Sequence, residues 1–186
     1  MTSPRVLVPL APGCEELEAV TIIDLLRRAD IEVVTAGLEE GPVRASRGVV
    51  LIPDTALDAV LEQTFDLIVL PGGLPGADHL QQDARLLGLL RRQAESGRRV
   101  GAICAAPKVL ASAGLLDGHQ ATCYPGAVNP PDYPRVQFTA MPVVMDGQVA
   151  TSRGPGTAMD FALELIAWLT DAETRDKVAA ALVRPA

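Results

Sequence analysis

The sequence predicts an α/β fold in which a mostly parallel sheet carries helices on both faces. Three observations predict it. Strand-length segments such as Arg5–Leu10, Asp66–Leu70 and Val100–Ile103 are apolar without alternation, as strands covered on both sides must be. Segments of helical spacing fall between them, and Gly or Pro punctuates the junctions.

Arg5–Leu10 is the first strand, stopped by Pro12-Gly13. Glu15–Ala29 follows as a helix, with Leu17, Val20 and Ile23 at helical spacing and Arg27-Arg28 complementing the dipole of its last turn. Ile31–Ala36 is the second strand. Val49–Ile52 is the third, paired near Val43, and Ala56–Gln63 is a short helix. Asp66–Leu70 ends at Pro71-Gly72-Gly73. Leu80–Ser96 reads as one helix closed by Gly97, and Ala106–Ala113 as another closed by Gly114. Gln120–Cys123 and Val136–Thr139 are further strands. Asp146-Gly147 suits a tight hairpin turn between Val143–Met145 and Gln148–Ala150. Gly156–Thr170 and Ala172–Leu182 close the chain as helices.

With 186 residues, 48% of them hydrophobic, the chain can bury one sizeable core, and no linker or repeat divides 1–186. A net charge of −7 opposes binding to nucleic acid. No apolar run reaches the ~18 residues of a membrane span, and Glu15, Glu16 and Glu18 follow the first strand where a leader would have its cleavage site. Three cysteines with no CxxC pair give no support to zinc or dithiol chemistry, and a reducing cytoplasm is the simplest home.

Cys104 is the residue that points to chemistry. It stands in Val100-Gly101-Ala102-Ile103-Cys104-Ala105-Ala106-Pro107, where a strand stops and a helix begins. The expectation is that the amide groups of the helix start favour a thiolate there. Ligand sites in such sheets lie beyond the carboxyl ends of the strands. That rule gathers Gly13–Glu18, Gly72-Gly73, Cys104 and the turn after Cys123. Glu18, one turn into the first helix, is either a surface glutamate or a partner of Cys104. As a partner, a buried carboxyl beside sulfur would have a raised pKa, hold its proton and serve as acid and base. Backbone N–H groups at Gly73 and Ala105 are candidate oxyanion donors, although Gly72-Gly73 also reads as a plain turn. Arg47 and Arg153 either bind an anion or pair with surface acids. His79 and His119 read as loop histidines. Cys14 and Cys123 read as small buried hydrophobes, or as thiols able to resolve an oxidised Cys104.

Four segments, in order, carry a resemblance. They are Leu10-Ala11-Pro12-Gly13-Cys14-Glu15-Glu16-Leu17-Glu18, Val69-Leu70-Pro71-Gly72-Gly73, Ala102-Ile103-Cys104-Ala105-Ala106-Pro107 and Thr151-Ser152-Arg153-Gly154-Pro155-Gly156-Thr157. With them the chain resembles the Parkinson-disease-protein-seven family, within the class I glutamine-amidotransferase-like domains. The resemblance implies a flavodoxin-like three-layer α/β/α sandwich and a homodimer. It implies that Cys104 matches an oxidation-sensitive cysteine, Glu18 a protonated glutamate bonded to it, and Gly73 and Ala105 its backbone donors. Members are described as protein deglycases, as cofactor-free glyoxalases converting methylglyoxal to lactate, and as redox-responsive chaperones.

Tyr124 in Ala121-Thr122-Cys123-Tyr124-Pro125 stands where family members of the human type carry histidine. A phenol titrates near ~10, so Tyr124 donates a hydrogen bond more readily than it shuttles a proton at pH 7. Glu18 is then the main acid and base. The expected function is cysteine-dependent, metal-free and cofactor-free processing of α-oxoaldehydes or their adducts. The alternative is a non-catalytic redox sensor in which Cys104 is oxidised to sulfinate.

Overall fold

A computed structural model describes residues 3–184. In chain order the elements are β1 (Arg5–Leu10), α1 (Glu16–Arg28), β2 (Glu32–Gly37), β3 (Val43–Arg44), β4 (Val50–Leu51), β5 (Thr55–Ala56), β6 (Leu67–Leu70), α2 (Gly76–Gln82), α3 (Ala84–Glu95), β7 (Arg99–Ile103) and α4 (Pro107–Ser112). Then come β8 (Gln120–Thr122), β9 (Gln137–Thr139), β10 (Val143–Asp146), β11 (Val149–Ser152), α5 (Ala158–Leu169) and α6 (Ala172–Ala181). The main sheet runs β10-β11-β7-β6-β1-β2-β5. All its pairings are parallel except β10 with β11 at one edge.

Alternate residues of each central strand feed two separate cores. Val6, Val8 and Leu10 of β1, with Leu67 and Val69 of β6, pack with Ile22, Leu26, Phe161 and Ile166 of α1 and α5. Leu7, Ile68 and Leu70 point the other way, against Leu80, Leu86, Leu90 and Leu110 of α2, α3 and α4. A strand buried on both faces has no position for a polar residue, which is why these runs are uninterrupted. The flavodoxin-like three-layer α/β/α sandwich expected from the sequence is therefore the observed fold. No helix among the described residues is long and apolar enough to cross a membrane.

The differences from the sequence reading are local. The helix expected over Leu80–Ser96 is two helices. Asp83 leaves the helical conformation (φ −80°, ψ 106°), and its carboxylate accepts the N–H groups of Arg85 and Leu86, capping α3. The helix expected from Gly156 starts at Ala158, after a single 3₁₀ turn at Pro155–Thr157. The segment expected as a helix over Ala56–Gln63 is the end of β5 and a 3₁₀ turn, Leu57–Val60. β8 and β9 pair only with each other, parallel, outside the main sheet. The carboxyl ends of β1, β6 and β7 remain uncovered by strands, and the site lies there.

Candidate active site

β7 delivers Cys104 to the carboxyl edge of the sheet. Cys104 adopts φ +63°, a left-handed conformation that a side chain occupies only when its neighbours enforce it. Its N–H donates to the Ser152 carbonyl (2.9 Å) and its carbonyl accepts the N–H of Tyr124 (2.8 Å). These two bonds lock the elbow to β11 and to the turn after β8. One expectation is corrected here. The helix start does not supply donors to the sulfur, because α4 begins at Pro107, which has no N–H. The next amides, of Lys108 and Val109, are bonded to the carbonyls of Ala105 and Ala106. The donors aimed at the sulfur are instead the backbone N–H groups of Gly73 and Ala105.

Glu18 is fully buried beneath the elbow. Its Oε2 accepts the N–H of Gly72 at 2.8 Å, and its carboxyl contacts the Cys104 thiol. Its Oε1 has no partner of good hydrogen-bond geometry among the described residues. Gly72 makes this meeting possible: a Cβ there would lie 2.6 Å from Cys104 Cβ and 2.8 Å from Glu18 Oε2. Gly73, at φ +89°, is equally constrained, since its Cβ would fall 2.3 Å from the Glu15 nitrogen. The two glycines are therefore required by the site, beyond serving as a turn.

The electrostatics correct a second expectation, that of a simply depressed thiol pKa. Burial, then the charge and the hydrogen bond of Glu18, push the Cys104 thiol up to about 12, while the amides of Gly73 and Ala105 pull it down. Burial pushes Glu18 up to about 7, against the Gly72 amide and the Cys104 contact. The two groups titrate as a pair, losing the first proton near 7 and the second near 12. Between those values they hold one proton. With that proton on Glu18 the carboxyl donates to a thiolate, and the upward influences of the Glu18 charge vanish.

A cleft of about 470 Å³ opens over Cys104, and Gly73, Ala105, Arg47 and Tyr124 line it. Five of the expected site residues thus meet at the cleft, with Glu18 buried beneath: the strand-end rule named the segments of Gly73, Cys104 and Tyr124, while Ala105 follows Cys104 and Arg47 comes from a separate loop. Arg153 is not among the lining residues. It borders an adjoining depression that shares Tyr124, Pro125 and Pro155 with the cleft. His79 and His119 stand apart: His79 Nδ1 lies 2.9 Å from the Pro12 carbonyl oxygen, and His119 Nδ1 lies 3.4 Å from Asp146. Cys14 is fully buried and its thiol is pushed up to about 11, chiefly by burial. Cys123 is half-buried, and burial pushes its thiol up against the charge of Arg153. Among the described residues no cluster of His, Cys, Asp or Glu is arranged to hold a metal ion.

Two carboxylates escaped the sequence reading. Glu16 accepts the N–H groups of Arg47 (2.9 Å) and Val49 (3.4 Å) and the Ser46 hydroxyl (3.0 Å). These bonds hold its carboxyl below the usual range despite burial, and they clamp the Ser46–Arg47 turn over the cleft. Glu15 lines the cleft itself and shares the Ser46 hydroxyl with Glu16, at 3.0 Å. The only signal in the chain was the acidic run facing an isolated Ser-Arg-Gly turn, and nothing in that pattern brings the two together.

The DJ-1/PfpI family model matches residues 4–168. Protein dj-1beta of Drosophila melanogaster is 44% identical, with 97% of each chain covered. Its crystal structure superimposes with a TM-score of 0.94 over 100% of both chains, at 42% identity. The Parkinson disease protein 7 homolog of Danio rerio is 39% identical over 98% of each chain. The glutathione-independent glyoxalase DJR-1.2 of Caenorhabditis elegans is 36% identical, over 90% of this chain and 89% of its own. With a matching model over most of its length and relatives of this similarity end to end, the chain belongs to the DJ-1/PfpI family.

Proposed function

We propose that the protein is a cysteine-dependent enzyme that processes small α-oxoaldehydes or their adducts on amines and thiols, of which methylglyoxal to lactate is the simplest case. The observation that carries this reading is the buried Glu18 carboxyl, its pKa raised to about 7, against the only cysteine that lines the cleft among the described residues. The similarity to a relative named as a glutathione-independent glyoxalase supports it.

The Cys104 thiolate adds to the aldehyde carbon of methylglyoxal, and the carbonyl oxygen takes the proton held by Glu18 to give a hemithioacetal. The N–H groups of Gly73 and Ala105 stabilise negative charge developing beside the sulfur. The Glu18 carboxylate then removes the proton from the former aldehyde carbon and returns it to the neighbouring carbon, while the hydroxyl proton of the hemithioacetal passes to the neighbouring oxygen, giving a lactoyl thioester. Water cleaves the thioester, releasing lactate and restoring the thiol. The sum is methylglyoxal plus water to lactate. One carbon is oxidised as its neighbour is reduced, so the chemistry needs no external electron carrier or metal. In an adduct that carbon is already tetrahedral: the Cys104 thiolate displaces the carrier amine or thiol, which leaves with the proton held by Glu18, and the resulting hemithioacetal follows the same path. The test is Cys104→Ser. Lactate formation from methylglyoxal is expected to fall to background, and turnover at the wild-type rate would remove the reading.

A further inference from the structure

Beside the cleft lies a depression of about 310 Å³ bordered by Tyr124, Pro125, Arg153, Pro155 and Thr157. We propose that it is a carboxylate-recognising arm of the active site, with Arg153 as its cation. The adduct presented to Cys104 is then one whose carrier is an amino-acid unit with a free carboxylate. This inference rests on the reading of Cys104 as the nucleophile that processes adducts.

Three observations carry it. First, the arm is continuous with the cleft, because Tyr124, Pro125 and Pro155 line both. A carrier bonded to the carbon under attack at Cys104 must leave along one of the cleft walls, and this wall leads to a second, open depression. Secondly, Arg153 is half-buried, and among the described residues no carboxylate lies within ion-pair distance of it. Seven of the fourteen arginines pair with a carboxylate, as Arg85 does with Asp83, Asp58 and Glu39; of those that do not among the described residues, Arg47 and Arg153 are the two that border the cleft or this arm. A guanidinium left without an anion at the edge of a pocket is suited to a ligand carboxylate, which it engages with two parallel hydrogen bonds.

Thirdly, the arm is built before any ligand arrives. Arg153 N–H donates to the Pro142 carbonyl (3.0 Å). Thr157 Oγ1 bonds Ser152 Oγ (2.7 Å) and accepts the Gly154 N–H (3.1 Å). The Tyr124 ring rests on Gly154, where a Cβ would approach its Cδ2 to 3.3 Å. The ring lines both the cleft and the depression that Arg153 borders. Replacing it by a smaller residue would merge the two spaces. Tyr124 is in this view a specificity-determining residue, and Arg153 the group that reads the carrier's charge.

The test uses S-acetonyl-N-acetylcysteine, which lacks the reactive aldehyde, and its carboxamide. Their dissociation constants are measured by calorimetry on the full chain. The wild type is expected to bind the carboxylate about 10-fold more tightly than the amide. Arg153→Gln should bring the ratio to about one, and Arg153→Lys should retain part of it. High salt should weaken the carboxylate ligand alone, so the proposal remains testable in the wild type even if a variant fails to fold. Equal affinities in the wild type would overturn the proposal. So would a preference that survives Arg153→Gln, or one that is lost only in Arg47→Gln. A peptide ending in the same modified cysteine distinguishes protein chain ends from free amino acids as the source of the carboxylate. Lactate release from methylglyoxal tests the enzymatic reading separately: a carboxylate preference without lactate would sink that reading and leave the arm standing.

Discussion

A thiol and a carboxyl buried side by side cannot both ionise near neutrality, so each decides the other's proton. The Cys104–Glu18 pair keeps both its protons in the folded chain to about 7, where a free carboxyl would lose its own at an ordinary 4.5. Between these pH values the folded chain holds a proton that the unfolded chain has lost. Stability therefore falls as pH rises through that window, by about 3–4 kcal/mol at most. Glu18→Gln has no proton to lose there. Its stability relative to wild type is expected to rise between pH 4 and pH 8, which urea denaturation at the two pH values checks; a constant difference would contradict the account. Cys104 and Glu18 were legible in the chain because the elbow and the strand-end rule name both. Their proton balance was not, because it depends on burial and on amides from Gly72, Gly73 and Ala105. Glu16 was illegible for a related reason: its partners at Ser46, Arg47 and Val49 come from a distant turn that only the fold brings near.

At the level of elements, the central strands were readable because two-sided burial leaves an unbroken apolar run, as in Leu67–Leu70. Helix boundaries were less so. Ala84–Glu95 continues the apolar spacing of Gly76–Gln82, and periodicity alone joins them. The break is made by one side chain, since Asp83 gives two orphan amides of α3 an acceptor and pairs with Arg85 at 2.6 Å. Asp83→Ala is expected to lower stability by about 1–2 kcal/mol, seen as a lower urea midpoint at unchanged slope. A midpoint equal to wild type would show that the break between α2 and α3 does not depend on the cap. The small β8–β9 sheet could not be placed from the sequence, because strands of three residues carry no register information beyond their turn signals.

At the scale of the whole molecule, five of the eleven large exposed apolar residues among those described lie on α1 and around β4. Leu17 and Val20 on α1 stand open, as do Val49, Val50 and Ile52 around β4, and Val20 and Ile52 border one groove of about 270 Å³. A patch of this kind marks a surface that is covered in use. We propose that a second copy of the chain covers it, as the family resemblance implies. Sedimentation equilibrium should give twice the chain mass, and Ile52→Glu, at a side chain 85% exposed, should shift the equilibrium to monomer. A wild type that sediments as a monomer at micromolar concentration would refute this. The Cys104–Glu18 pair itself is reached most directly by the rate of Cys104 alkylation as a function of pH. In wild type a first rise near pH 7 is expected, as the pair gives up its first proton, with a second near 12. In Glu18→Gln the lower step should vanish, leaving a single one below 12 because the opposing carboxylate is gone. One step at the ordinary thiol value in wild type, unmoved by the substitution, would contradict the account.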